Sequence, residues 1–264
     1  MDSSLCQREN DAINNLYYLI QYPPDNMKKS IIITLLSVCC ICNTAVADRI
    51  EREDIAIGFR GGLNISSSQG SYNNALANEL SQQGINTRFD KEFGGHFGVI
   101  TDIGITKWFY IQPGVYFTTK SFDFYLSNTN NPNYDWRRLY ELYYLEIPVL
   151  ASFRIELADD FMLQLNAGAF VACGVGGNVK DNIIKDELIN IGDFLGNPFV
   201  KGEGGLHRFD AGLQFGIGFT YNEFFIGAAY DWGLFDITTH AMGYSGSIKT
   251  GNIMVSVGYT LSLD

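Results

Sequence analysis

The stretch LYYLEIPVLASFRI, Leu142 to Ile155, decides how this chain is read. It is dominated by apolar side chains yet carries Glu146, Pro148 and Arg154. In a soluble core both charges would be costly to bury, and in a membrane helix the proline and the charges would break the span. Laid out as a strand, the conflict disappears. Tyr143, Leu145, Ile147, Val149, Ala151, Phe153 and Ile155 share one face, and Glu146, Ser152 and Arg154 share the other. An apolar face toward lipid and a polar face toward a lumen is the pattern of a transmembrane barrel strand.

The same period of two recurs along the chain. NIMVSVGYTLSL sets Ile253, Val255, Val257, Tyr259, Leu261 and Leu263 against Asn252, Ser256, Gly258, Thr260 and Ser262. RFDAGLQFGIGFTY does the same with Phe209, Ala211, Leu213, Phe215, Ile217 and Phe219. Eight such strands are expected, near 54–66, 93–105, 108–122, 139–155, 161–175, 206–220, 223–235 and 251–263. Most exceed the ~9–11 residues that a tilted strand needs to cross a bilayer. Short connections (ITKWF, LADDF, TYNEF) alternate with long ones rich in Gly, Asn and Ser, such as SSSQGSYNN and SNTNNPNYD. That alternation predicts an all-β, eight-stranded antiparallel up-and-down transmembrane β-barrel, with short periplasmic turns and long extracellular loops. The long loops read as solvated surface, with a short helix expected around residues 181–189.

Strand parity names the lumen. Arg60, His96, Asp102, Gln112, Lys120, Glu146, Arg154, Gln164, Asn166, Asp210, Gln214 and Asn252 point inward on this reading. A charge at the lipid-facing midplane costs ~2–4 kcal/mol, which fixes the register. Glu146 and Arg154 lie about 26 Å apart along their strand and need partners elsewhere. Arg60 and Glu146 fall near mid-barrel, Asp102 and Arg154 toward the periplasmic end, and ion pairs across the lumen are expected. Pro113 and Pro148 each remove a ladder hydrogen bond, so bulges are expected there. Inward glycines (Gly58, Gly62, Gly98, Gly104, Gly212, Gly216, Gly218, Gly258) either leave space or allow close packing.

Aromatic residues cluster at the strand ends. Trp108, Phe109, Tyr110, Phe161, Tyr221, Phe224 and Phe225 mark the short-turn rim. Phe122, Phe124, Trp136, Tyr140, Tyr143, Trp232 and Phe235 mark the other, as two interfacial girdles would.

Before the barrel, residues 27–47 (MKKSIIITLLSVCCICNTAVA) have a basic start, an apolar stretch and Ala45-Val46-Ala47, the layout of an export signal. Residues 1–26 lack that logic and read as an over-called start, leaving 48–264 as the barrel domain. With a net charge of −11 and no basic patch, nucleic-acid binding is excluded. No cysteine has histidine company at metal-ligand spacing, so no metal or cofactor is expected. An enzymatic reading would rest on His96, His207 and His240, with Asp210 and Asp236 nearby in sequence. No nucleophile motif joins them, and a non-enzymatic protein is expected.

GFRGGLNIS, HFGVITDIGITKWFYIQPGVYFTTKS, YYLEIPVLASFR, HRFDAGLQFGIGF and FFIGAAYDWGL occur in that order. Together they resemble the PorT-like outer-membrane β-barrel family of Bacteroidetes-type bacteria, most specifically at Tyr144–Pro148 and Gln112–Pro113. The resemblance spans residues 54–263 and implies an eight-stranded barrel in the outer membrane of a Gram-negative bacterium, one branch of the family being linked to protein secretion. Barrels of this kind commonly end in an aromatic residue, whereas the last residues here are Leu263 and Asp264. The expected partners are outer-membrane lipid and a protein met at the extracellular loops or the periplasmic rim, around a monomer. Because side chains just fill an eight-stranded barrel, a structural or surface-interaction role is expected, the alternatives being a narrow channel or small-ligand site and, further off, a hydrolase.

Overall fold

The computed structural model describes residues 55–128, 135–184, 188–190, 197–199, 205–238 and 246–263. The expected export signal, the short segment before it and His240 lie outside these residues. The elements are β1 (Ile55–Gln69), α1 (Ser71–Gln82), β2 (Ile85–Thr106), β3 (Phe109–Asn128), β4 (Asp135–Ala158), β5 (Phe161–Ile184), β6 (Leu188–Asn190), β7 (Phe209–Tyr221), β8 (Phe224–Gly233) and β9 (Lys249–Ser262). Each strand pairs antiparallel with its neighbour in sequence, except that β5 passes over the three-residue β6 to pair with β7. Pairing of β1 with β9, from Ala56↔Ser262 to Gln69↔Lys249, closes eight strands into a ring. Closure removes the free edges that an open sheet would expose. Among the described residues no helix is long and apolar enough to cross a membrane; the crossing is made by strands.

Two-residue turns close the periplasmic side. Asp160 (φ 61°) and Asn222 (φ 50°) take the left-handed conformation there, which Asp and Asn tolerate better than most residues. On the outer surface, exposed apolar side chains form a continuous band. On β4 it runs from the half-buried Tyr143 through the exposed Leu145, Val149 and Phe153 to Ile155. Twelve residue steps at ~3.3 Å, inclined by ~40°, give a band roughly 30 Å tall, the thickness of a bilayer core.

Four features depart from the sequence expectation. First, the strands of the β2–β5 wall continue well above the band, with β5 reaching Ile184, so residues 181–184 and 188–190 are strand where a helix was expected. Second, the loop after β1 folds into α1 instead of remaining an irregular solvated connection. Third, Pro113 and Pro148 sit in strands whose register is the same on both sides. The ladder lapses at Gln112 and Pro113 on the β2 side, and at Gly114 and Val115, opposite Pro148 and Ile147, on the β4 side, without an inserted residue. Fourth, a true bulge falls between Lys91 and His96. It reverses inside and outside along β2, so that Phe89, paired with Phe124, faces in and Glu92 faces out.

Candidate functional site: a filled lumen

Three layers of side chains occupy the barrel interior. At the periplasmic end, Arg154 Nη2 lies 2.5 Å from Asp102 Oδ2, and Gln112 Nε2 donates to Asp102 Oδ1 at 2.5 Å. The Arg154 guanidinium also lies over the Tyr110 ring, 3.8 Å from its centre. Arg60 occupies the same end but does not meet Glu146. Its Nη2 donates to Thr260 Oγ1 (3.1 Å), its Nη1 to the Phe59 carbonyl (3.2 Å), and the group sits 4.0 Å above Phe225. Room for it comes from glycine: Arg60 is flanked by Gly98 on β2 and Gly258 on β9, and a Cβ on Gly258 would stand 2.6 Å from Arg60 Cδ. Gln164 donates to Thr220 Oγ1 at 2.7 Å.

Higher up, Lys120 is the centre of a buried charge layer. Its Nζ lies 2.9 Å from Glu146 Oε2 and 3.1 Å from Asp210 Oδ2, with all three side chains at most 1% exposed. Lys120 also lies 4.2 Å from the centre of the Phe170 ring, a cation–π contact in a dry setting. Thr250 donates to Asp210 at 2.7 Å, and Gln214 and Asn252 donate to Asp231 at 2.6 and 3.2 Å. Ser66 links on to Asn252 (3.0 Å). Asn64 connects Thr118 (2.8 Å) with His96, whose other ring nitrogen meets Ser256 at 2.8 Å. Seven strands therefore contribute polar side chains to this level of the lumen.

The third layer is apolar and closes the extracellular mouth. Phe122, Phe124, Tyr140, Leu142, Tyr144, Phe170 and Val179 from the wall pack with Tyr72 of α1 and with Phe199, Leu206, Ile237 and Ile248 from the connections. Phe199 meets Tyr144 edge-on at 5.7 Å, and a Cβ on Gly174 would stand 2.3 Å from the Phe199 ring. Glycine at 174 is thus what lets Phe199 seat against the wall. Asp236 braces this layer from above, accepting from Thr238 and from the Ile248 N–H at 3.0 Å.

Sequence reasoning misses Asp231, Asn64 and this apolar layer as a whole. Asp231 and Asn64 are legible, since each shares the parity of the inward-facing positions on its strand. Phe122, Phe124 and Tyr140, expected in the outer girdle, are inside because they share the parity of Lys120 and Glu146. The same parity corrects two further girdle positions. Tyr110, two residues from Gln112, faces Arg154, and Trp136 lies on the Tyr140 side of β4 beside Arg138. Phe225 likewise turns in beneath Arg60.

Outward, the lower girdle consists of Trp108 stacked on Phe153 (5.9 Å), Phe109 against Phe153 (5.1 Å), Phe161 stacked on Phe219 (5.7 Å), Tyr221, and Phe224 against Tyr259 (5.2 Å). Phe93, Phe117, Tyr143 and Trp232 mark the upper limit. Just above them the outer face turns charged, with Arg137 between Glu92 and Asp123 and Lys180 2.9 Å from Glu141. Burial pushes the Glu92 carboxyl above its ordinary range despite the pull of Arg137.

The histidine–aspartate pairs considered for catalysis have other commitments: His96 with Asn64 and Ser256, Asp210 with Lys120 and Thr250, Asp236 with its own loop. Among the described residues no group of three or more His, Cys, Asp or Glu is placed to hold a metal ion.

A closed ring of eight tilted strands, an apolar outer band between aromatic girdles and a polar interior define an outer-membrane β-barrel. The chain belongs to the family described as outer membrane protein beta-barrel domain, which matches residues 47–239, and its place is the outer membrane. No curated protein sequence matches it. Solved structures similar to it include Ail, the attachment invasion locus protein of Yersinia pestis, at 13% identity over 78% of this chain and 98% of that one, with a TM-score of 0.36. OprG from Pseudomonas aeruginosa is 13% identical over 79% and 97%, with a TM-score of 0.41. Neisserial surface protein A is 12% identical over 78% and 98%, with a TM-score of 0.34.

Proposed function

We propose that this barrel is closed to diffusion and acts as a structural or surface-interaction protein through its extracellular side. The observation that carries this is the stacking of two closed layers in the lumen, the Lys120 charge layer below and the Phe199–Tyr144 apolar layer above. An ion entering from outside would first have to leave water for an apolar layer, then break the buried ion pairs of Lys120 with Glu146 and Asp210. The motifs that resemble the PorT-like family support a link to protein secretion, with a protein partner at the extracellular loops or the periplasmic rim and a monomeric barrel in lipid. No enzymatic step is part of this reading. Single-channel recording of the full chain refolded into a planar bilayer tests it. No reproducible conductance steps are expected; steady openings would replace the surface role with narrow-channel transport.

A further inference from the structure

The two charged levels of the lumen hold four buried carboxylates, Asp102, Glu146, Asp210 and Asp231, against three cations, Arg60, Lys120 and Arg154. Acids exceed bases by one, and a surplus charge in a dry interior is costly. The hydrogen bonds show where the surplus falls. Asp102 has both oxygens served, one by Arg154 and one by Gln112. Asp231 has both served as well, by the amides of Gln214 and Asn252. Glu146 and Asp210 differ. Asp210 Oδ2 accepts from Lys120 and Thr250, while its Oδ1 is buried with no donor. Glu146 Oε2 lies against Lys120, and its Oε1 is buried with no donor.

Both acids touch the same ammonium, at 2.9 and 3.1 Å, so one positive charge serves two neighbouring carboxyl groups. The surrounding walls bring the pair no second cation among the described residues. On β3 the next titratable side chain is Tyr116, opposite Glu146. β4 adds Tyr144, β8 the carboxylate of Asp231, and β2 His96, held between Asn64 and Ser256. β5 presents Phe170 and Ala172, β1 Asn64 and Ser66, and β9 Thr250 and Asn252, none of which titrates. Arg60 and Arg154 are committed at the periplasmic end, and Arg208, just before β7, donates to the Gly174 carbonyl at 2.7 Å. Two carboxyl groups that share a site and a single counter-charge do not both ionise readily.

We propose that Glu146 and Asp210 together hold one proton at neutral pH, one side chain as the carboxylic acid and the other as the carboxylate paired with Lys120. The proton comes from water and forms an O–H bond on Glu146 Oε1 or Asp210 Oδ1. Neither oxygen accepts a hydrogen bond, so protonation there displaces nothing, whereas on Asp102 or Asp231 it would cost an amide or guanidinium contact. Glu146 Oε2 and Asp210 Oδ2 keep their contacts with Lys120. With this proton the four acids and three bases sum to zero, and the lumen is neutral where the barrel crosses the membrane.

Infrared spectroscopy of the full chain refolded in detergent micelles tests this. At neutral pH the parent should show the carbonyl-stretch band of a neutral carboxylic acid, shifted in heavy water. Glu146→Gln and Asp210→Asn each remove one acid of the pair and should abolish the band. Glu92→Gln, on the outer face beside Arg137, should leave it. Urea unfolding gives a second readout. The unfolded chain releases the proton above a carboxyl value of ~4.3. Between about pH 5 and 7 the native state therefore holds one proton more than the unfolded chain and loses stability as pH rises. Relative to Glu146→Gln, the folding constant of the parent should fall by up to about tenfold per pH unit over that range. Absence of the band in the parent, a band surviving in both variants of the pair, or parallel pH curves for parent and variant would overturn the assignment. If one variant fails to fold, the other serves as the reference in both measurements.

Discussion

Replacing Lys120 with methionine isolates the charge layer from every other feature of the barrel. Methionine keeps most of the aliphatic stem, so packing against Phe170 changes little. What disappears is the cation 2.9 Å from Glu146 and 3.1 Å from Asp210, in a layer that also holds Asp231. Removing one partner from a buried ion pair costs about 3–5 kcal/mol, because the other charge stays buried and uncompensated. With an m-value near ~3 kcal/mol/M, the urea midpoint of the refolded barrel should fall by about 1–1.7 M. Burial shields the layer from salt, so the loss should persist at high ionic strength. Adding Glu146→Gln and Asp210→Asn to Lys120→Met removes the orphaned charges and should recover more than half of the loss. A single Lys120→Met variant within about 1 kcal/mol of the parent would refute the argument that these three groups depend on one another.

Two further outcomes follow from the outer surface and the apolar layer. Val149→Arg, in the middle of the lipid-facing band, should cost about 2–4 kcal/mol in urea unfolding, whereas Tyr143→Arg at the upper girdle should cost at most ~1 kcal/mol; equal costs would contradict the placement of the band. Gly174→Val should displace the Phe199 ring and loosen the extracellular mouth, raising protease cleavage there. Combined with Phe199→Ala its cost should be less than additive, and strict additivity would mean that the two residues do not share the contact seen here.

Much of the barrel can be read from alternation alone. A one-residue slip would carry Glu146 or Lys120 into lipid, so the face of each strand is fixed wherever a charge is present. Residues without a charge to fix them are the ones misplaced. Phe122, Phe124 and Tyr140 look like girdle residues by type and by position near a strand end; only parity, counted from Lys120 and Glu146, turns them inward. The β2 bulge is hidden because Phe93-Gly94-Gly95 breaks alternation at the very point where inside and outside exchange. The prolines invite too strong a reading: a missing donor can be met by a lapse in the ladder, which needs no extra residue and leaves the faces unchanged. Among the lumen pairs, Arg154 and Asp102 can be matched by height, but Arg60 and Glu146 cannot. Lys120, four residues along β3 from Tyr116, the residue opposite Glu146, takes that carboxylate instead.

Where the wall extends beyond the membrane bears directly on the surface role. Residues 135–142 of β4 rise about 26 Å along the strand above the upper girdle. A bare extension of that length would be a poorly supported ribbon, since strands need a packed face to hold their shape. Here Tyr140, Leu142, Phe122 and Phe124 supply that face, and Tyr72 with the loop residues Phe199, Leu206, Ile237 and Ile248 covers it. The same side chains that fill the extracellular end of the lumen therefore pack the described strands that rise above the band. Opening a pore would mean withdrawing the residues that organise the outer surface, so channel and surface functions compete for one layer. On the proposed surface role, a partner would meet a preformed face in the described part of this wall and would not have to order it on binding.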